Sequence, residues 1–596
     1  MHQSRNPLFF EPIHTSGGIV NSLDPVSIKN EKKLMNIPLK HTPLIFFGLL
    51  ILFSYLFYTH AWMVDDAYIT FRTIDNFVQG YGLRWNVVER VQTYSNPLWM
   101  FLLIPFYVIT GEIFYTTFVV SWVLCVGLFV LLYLRCSSDL RWKSLLFLLL
   151  AMTSKSLMDF TGSGLENPLS YFLLVFFYSR YLHFRDSSPS SSEATLLFFI
   201  ASLAFVNRQD ALLLYLFPLI HLLWIEWKKQ EGRCFKLLSL ATLPATLWVL
   251  FCLFYYGFLF PNTAYAKVLT PGVLFGERVA RGWKYFQISL FWEPLNYALL
   301  LCSFVWAMTQ KNTRALLALM GILADFVFVL TKAAVSNYMV GRFFSLPFLT
   351  LFLILVALVP KRKYFRGFVW ILVFYTFWNP MSPLKLGTTL YEHPETMESL
   401  YGYGDSIWHY HNQNVVLKRF PQSFLESCSR CRKVYDQGQT LKHFSPQDKK
   451  FLDHPWFHEG SRLRQQESQV HVGGALNTAG IGFFGFAAGP DKFIVDDFGL
   501  GDILLARLPA DNLHKNWQPG HFRRELPEGY AESLPEKENQ LKDPHLKEYY
   551  DVLRRITRGP LFQWQRGIDI LYINLGKYDA LVEAYSQEKK KKEAKK

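Results

Sequence analysis

Ionisable residues break an otherwise apolar chain at five places, each beside the end of a long apolar run. The first carries Asp65-Asp66 at the head of Asp65–Arg72, with Tyr94-Ser95-Asn96-Pro97 further on. The others hold Glu166 (in Ser163–Pro168), Arg208 and Asp210, Asn262 and Lys267, and Tyr338 and Arg342. Charge beside hydrocarbon is costly, so its recurrence at the ends of apolar runs points to a shared site. Arg and Lys at a membrane surface can hold a phosphodiester, and a carboxylate can take the proton from an acceptor hydroxyl. A lipid phosphate is already a good leaving group, so one base plus cations would suffice for sugar transfer. Asp65 and Asp66 are therefore the candidate catalytic acids. Arg72, Glu166, Arg208, Asp210, Asn262, Lys267, Tyr338 and Arg342 are the candidates for binding substrate. Each has a plainer reading as well: a polar helix end for the acid pair, a surface pair with Asp66 or Asp75 for Arg72, a helix cap for Glu166, a local ion pair for Arg208 and Asp210, and headgroup anchors for Lys267 and Arg342.

The elements that would position these groups follow from composition. Of 596 residues 51% are apolar and 17% aromatic, while only 18% are charged, against about 25% in soluble domains. That excludes a disordered chain, a coiled coil and a disulfide-stapled miniature. Mean hydropathy is only +0.13, so an apolar part and a polar part are expected. Apolar runs near 43–60, 113–134, 144–160, 168–184, 195–206, 211–225, 237–260, 286–308, 314–331, 345–360 and 364–378 approach the length needed to cross about 30 Å of hydrocarbon. They predict an α-helical multispanning protein with about 11 spans. Residues 97–110 form a further apolar stretch, short for a span and read as re-entrant or interfacial.

Basic clusters at Lys29/Lys32/Lys33/Lys40, Arg135/Arg141/Lys143, Lys228/Lys229/Arg233/Lys236 and Lys361/Arg362/Lys363/Arg366 set the orientation, because short cytoplasmic loops carry the excess of Lys and Arg. The candidate site loops then face the opposite side. The expected organisation is a cytoplasmic segment 1–42, a transmembrane catalytic module 43–378, an extracytoplasmic α+β domain 379–585 with a β-rich core as one option, and a solvated, disordered Lys-rich tail 586–596. Within the domain, Lys492–Val495 reads as a strand and Pro544–Thr557 as an amphipathic helix. The net charge of +14 belongs to loops and tail, so no nucleic-acid partner is implied.

Several motifs in order carry a resemblance. Asp65–Arg72, Gly80–Asn86, Glu89–Gln92 and Tyr94–Trp99, followed by Phe493–Asp502, Leu504–Pro509, Gly520–Tyr530 and Thr557–Leu561, are similar to the GT-C membrane glycosyltransferases in their terminal β-(1→2)-arabinofuranosyltransferase branch. The similarity runs from about residue 60 to 575. It implies a multispanning bacterial inner-membrane enzyme that moves a sugar, arabinofuranose among the candidates, from a polyprenyl-phosphate donor to an envelope glycan or lipopolysaccharide acceptor at the extracytoplasmic face. The family's acidic motif falls on Asp65 and Asp66 without saying which is the base.

Other signals are weaker. Gly480–Gly485 matches G-x-G-x-x-G but lacks the strand–turn–helix context of a dinucleotide site. Cys428 and Cys431 are expected to form a local disulfide on the oxidising side. No cofactor is assigned, and a divalent metal stays open with no ligands identified. The rival function is a polytopic transporter or flippase for a lipid-linked or anionic solute, which Asp159 and Asp325 inside apolar stretches keep open. A non-catalytic outer-surface binding protein would explain the last domain but not the charged loops.

Overall fold

The computed structural model describes residues 41–138, 140–183, 188–229, 234–270, 273–331, 339, 341–359, 363–386, 455–473, 480–511 and 520–593. The N-terminal basic cluster, Tyr338, and the Cys428/Cys431 pair lie outside these residues.

Helices dominate. Among the described residues four of them, Thr42–His60, Phe114–Arg135, Gln209–Lys228 and Thr313–Thr331, are long and apolar enough to cross a bilayer, and two bent pairs bring the number to six if each counts as one span. These helices suit a helical membrane protein. Shorter apolar helices are Pro97–Thr110, Ser191–Asn207, Leu243–Tyr256 and Arg342–Leu358, so by length and composition four to six spans, not about eleven, stand out among the described residues. Two predicted spans are not straight. Residues 144–160 break at Ser154, where Arg141–Thr153 turns by 85° into Lys155–Thr161. Residues 286–308 break at Glu293, between Phe275–Trp292 and Pro294–Thr309, which lie at 97°.

The two breaks meet and satisfy each other. Ser154 Oγ donates to Glu293 Oε1 at 2.7 Å, and the Ser156 amide donates to Oε2 at 3.2 Å. Asn296 Nδ2 adds a bond to the same carboxylate at 3.0 Å. Lys155 pairs with Asp159, and both are buried. Interrupting a helix exposes backbone groups that hydrocarbon cannot solvate, so buried polar partners must gather wherever it happens.

The helix bundle has two chemically different ends. One collects Lys143, whose ammonium donates to Ala357 O, together with Gln310 donating to Leu358 O and Arg314 donating to Tyr181 O. Arg135 and Arg141 lie at the same turn of chain, over the rings of Phe176 and Tyr133. The other end carries the acid pair and the loops bearing Glu166, Arg208 and Arg342.

The C-terminal part caps that second end. Among the described residues its sheet has only two short parallel strands, Val470–Val472 on Phe493–Val495, so the expected β-rich core is replaced by helices and tightly bonded loops. Asp496 accepts from the amides of Phe498 and Gly501, and Asp502 from those of Leu504 and Leu505 and from the Tyr530 hydroxyl. The Pro544–Arg558 helix has Asp543 as its N-cap, bonded to the Leu546 amide. The tail differs from expectation. Asp579–Glu593 is a helix, and Lys589 bridges Asp511 and Glu525 at 2.6 and 2.9 Å, so one charge that looks solvated in sequence has acidic partners.

Arg72 locks the cap to the Asp65–Val78 helix. Its guanidinium is fully buried, stacks 4.4 Å from the Trp85 ring, and donates to Trp85 O, Gly485 O and Lys492 O at 2.9, 2.6 and 2.8 Å. Arg72, expected to bind substrate, is instead placed in the framework: every nitrogen is spent on a backbone carbonyl, of which Trp85 O takes a second bond from Asn76 Nδ2 at 3.0 Å. Arg72→Ala should lower stability by about 3 kcal/mol, the net of three charge-assisted bonds against the relief of unburying a charge. Arg72→Lys should recover only part of it, since an ammonium lacks the planar fork. Thermal unfolding midpoints of the purified variants test this, and a wild-type midpoint for Arg72→Ala would contradict it.

Candidate active site

The acid pair is divided by its surroundings. Asp65 opens the Asp65–Val78 helix, is 5% exposed, and accepts from the Gly482 and Phe483 amides at 3.0 and 2.7 Å through its two carboxylate oxygens. It thereby caps the Gly482–Ala488 helix, whose first amides need an acceptor. A Cβ on Gly482 would stand 1.8 Å from Asp65 O, and one on Gly485 would press on Trp85 and Arg72. The glycine run resembling a dinucleotide motif is thus a close-packing device, its helix N-terminus already taken by a carboxylate.

Burial pushes the Asp65 carboxyl up to about 7, against the pull of the two amides. That value alone would suit a general base, but geometry comes first: both oxygens are occupied and inaccessible. Asp66, the next residue round the helix, is 29% exposed. Its Oδ2 lies 3.8 Å from both Lys267 Nζ and Arg342 Nη1.

Asp66 engages both cations only loosely. A separation of 3.8 Å exceeds a hydrogen bond; among the described residues the Lys267 side chain makes no hydrogen bond, whereas Arg342 donates to Met339 Sδ at 3.3 Å and to Glu166 Oε1 at 3.4 Å. Lys267 ends the short Asn262–Lys267 helix. Asn262 fixes that helix from the other end by donating to Gly499 O, Leu500 O and Asp502 O at 2.9, 3.2 and 3.0 Å and accepting from Arg507 at 2.9 Å. Asn262, expected at the substrate surface, is therefore a buried strut that aims Lys267. Arg342 follows Gly341, whose positive φ of 93° and tight fit on Ser156 require glycine.

Behind Asp66 sits a rigid ion cluster. Glu166 is buried and accepts from Arg208 Nη1 at 2.6 Å, Asn96 Nδ2 at 2.9 Å and Arg342 Nη2 at 3.4 Å. Arg208 forks onto Asp210 at 2.7 and 2.8 Å and lies over the Phe343 ring. Asn207 holds Glu166 O and Ser170 Oγ. Arg208 and Asp210 are thus committed to each other and to Glu166, and they position Arg342 through the shared carboxylate.

The structure brings Asp66, Glu166, Arg208, Asp210, Lys267 and Arg342 together. Arg72, Asn262 and Asp65 serve the framework around them. Three contributors lie outside the expected set. Asn96 links Thr70 to Glu166. Phe343 floors Arg208. His521 reaches the site from the C-terminal cap, with the adjoining Gly520 packed on the Lys267 side chain. Burial and the Lys267 charge push the His521 imidazole down to about 4, with Asp66 opposing, so it stands neutral beside the acid. Asn96 and His521 occur in the ordered motifs read from sequence; only the folded contacts separate them from their neighbours. Among the described residues no group of three or more His, Cys, Asp or Glu converges to hold a metal ion.

Burial would raise the Glu166 carboxyl, but Arg342, Arg208 and Asn96 hold it down at about 2, below its ordinary 4.5. A depressed folded value means stability present above pH 4.5 and lost as pH falls through about 2. The stability gap between wild type and Glu166→Gln should therefore be roughly 3 kcal/mol near neutrality and close across that acid window. Parallel denaturation series over pH 2–7 measure it; a gap independent of pH would contradict the assignment.

No family model matches the chain, and no solved structure matches it. A curated protein from Mycobacterium tuberculosis, described as a terminal beta-(1->2)-arabinofuranosyltransferase, is 28% identical over 232 residues, which cover 36% of this chain and 36% of that protein. The match thus spans about a third of the length of the curated relative, and over that stretch the chain is similar to a glycosyltransferase.

Proposed function

We propose that the protein is an integral membrane glycosyltransferase of GT-C type that transfers a sugar from a polyprenyl-phosphate donor to an envelope glycan or lipopolysaccharide acceptor, arabinofuranose being the first sugar to test. The observation that carries this reading is the placement of one accessible carboxylate, Asp66, between two cations, Lys267 and Arg342, that stand 3.8 Å from it and do not hydrogen-bond to it. In this reading Asp66 takes the proton of the acceptor hydroxyl as the sugar–phosphate bond breaks. Lys267 and Arg342 hold the departing lipid phosphate, which carries the charge that develops. Glu166, Arg208 and Asp210 keep Arg342 in place, and neutral His521 offers a hydrogen-bonding group to a sugar hydroxyl without adding charge. About eleven crossings, with the site and the C-terminal cap on the extracytoplasmic side of a bacterial inner membrane, would present the site to both substrates.

The rival is a transporter or flippase. Transporters use broken helices to expose backbone to a solute near the midplane. Here the two breaks are filled by each other's side chains at Ser154, Ser156 and Glu293, and the loosely held charges lie elsewhere, which favours the enzyme.

Transfer in nanodiscs with a panel of polyprenyl-phosphate sugars tests the reading. Asp66→Asn should cut kcat by about 10²–10⁴-fold with the thermal midpoint kept. Asp65→Asn should instead lower the midpoint, because one of two capping acceptors is lost. Lys267→Ala and Arg342→Ala should weaken donor binding roughly ten- to a hundred-fold each, the worth of one charged hydrogen bond. Near-wild-type turnover of Asp66→Asn would sink the assignment of the base. A reporter active only in the cytoplasm, fused after Lys596, should stay silent, and a strong signal there would overturn the orientation.

A further inference from the structure

The C-terminal cap carries an apolar stripe on its outward face. Phe562 is 90% and Trp564 83% exposed, and Leu571 and Leu575 are exposed as well. Trp564, Ile568, Leu571 and Leu575 follow one another at helical spacing along and just beyond the Trp564–Asn574 helix, so they share one face. The opposite face is packed: Arg566 and Asp569 are buried, and Ile570 and Ile573 lie against the domain's own core. A surface helix normally shows the reverse, with its apolar stripe inward and its charges out. An outward stripe of large aromatic and aliphatic side chains marks a contact with something apolar.

The attachment of this helix says what that is. Arg566 Nη2 donates to Tyr255 O at 3.0 Å, and Asn574 Nδ2 donates to Gly257 O at 2.8 Å. Both acceptors lie at the end of the apolar Leu243–Tyr256 helix. Gly257, at φ +85°, lets Ile556 and Ile570 close directly over that end. The apolar helix has its own exposed stripe, Leu243, Leu247, Leu250 and Phe254, again at helical spacing. Phe254 then meets Phe562, ring centroids 5.4 Å apart. The two stripes form one continuous apolar surface that runs up a lipid-facing helix and turns onto the cap.

We propose that Phe562, Trp564, Leu571 and Leu575 form a monotopic membrane anchor, buried in the headgroup–acyl boundary of the leaflet next to the cap. This rests on the reading that the chain crosses a bilayer. Trp and Phe suit that depth, where an apolar body meets a wet boundary, and an amphipathic helix lying in the interface plane inserts its apolar face by about 5–10 Å. The anchor also has a mechanical consequence. The neighbouring Pro544–Arg558 helix is tied to the first outer loop, with Arg558 on Glu89 at 3.0 Å and Arg90 on Gly559 O at 2.5 Å. A cap held by lipid on one edge and by this loop on another keeps a fixed height above Asp66 and Lys267, where a lipid-borne phosphate would arrive.

Fluorine NMR of the full chain labelled with fluorotryptophan, in nanodiscs, tests the anchor. Trp564→Phe and Trp370→Phe assign two resonances; Trp370 is an exposed indole midway along the apolar Lys363–Trp378 helix. A phosphatidylcholine with a nitroxide near its acyl carbonyl and a water-soluble gadolinium chelate serve as the two probes. Loss of both resonances with the nitroxide lipid, and survival of both with the chelate, is expected. Loss of Trp370 alone to the lipid, with Trp564 broadened by the chelate, overturns the anchor and leaves the membrane reading standing. Protection of Trp564 from both probes overturns it in favour of a protein partner or a second copy. Insensitivity of both resonances to the nitroxide lipid overturns the membrane reading and the anchor together.

Discussion

The Asp65 carboxylate, set on the first two amides of the Gly482–Ala488 helix, joins residues more than four hundred positions apart, and the rest of the architecture depends on it. A buried acid must be satisfied on every side, and here both oxygens are spent on one partner. Arg72, two turns along the same helix, repeats the arrangement with its sign inverted, a buried cation on the carbonyls of Trp85, Gly485 and Lys492. Between them they fix the rotation of the Asp65–Val78 helix about its axis. Once that rotation is set, Asp66 can point only at the cleft that Lys267 and Arg342 share.

The site is built in two layers of different stiffness. The inner layer of Glu166, Arg208, Asp210 and Asn96 is closed: its charges are paired at hydrogen-bonding distance and Arg208 is bidentate. The outer layer of Asp66, Lys267 and Arg342 is open, with separations of 3.8 Å. Asp66 stands beyond hydrogen-bonding distance of both cations, while Arg342 is positioned by the rigid layer behind it through Glu166.

The two helix breaks show the same economy inside the bundle. Each interrupted helix frees backbone groups, and the two interruptions are placed against each other so that Glu293 serves both. The bend at Glu293 turns the Phe275–Trp292 helix away from the direction of the Pro294–Thr309 helix, and Tyr285, on the turned segment, accepts from the Gly341 amide just before Arg342. The interior break is thereby linked to the placement of a site cation.

Composition and periodicity alone were enough for the helical, apolar character of much of residues 43–378 and for the helix at Pro544. Those properties are local: hydrocarbon length, charge next to an apolar run and helical spacing are all carried by neighbours in sequence. What the folded chain decided is which member of each group does what. Asp65 and Asp66 are indistinguishable in sequence, as Lys267 and Asn262 are in their loop, and Arg72 looks as available as Arg342. Only the cap, packed on one face of the Asp65–Val78 helix, buries Asp65 and Arg72 and leaves Asp66 open, and only contacts across hundreds of residues turn Asn262 into a strut and bring His521 to Lys267. Burial and pairing are properties of the assembled surface, and no reading of adjacent residues contains them.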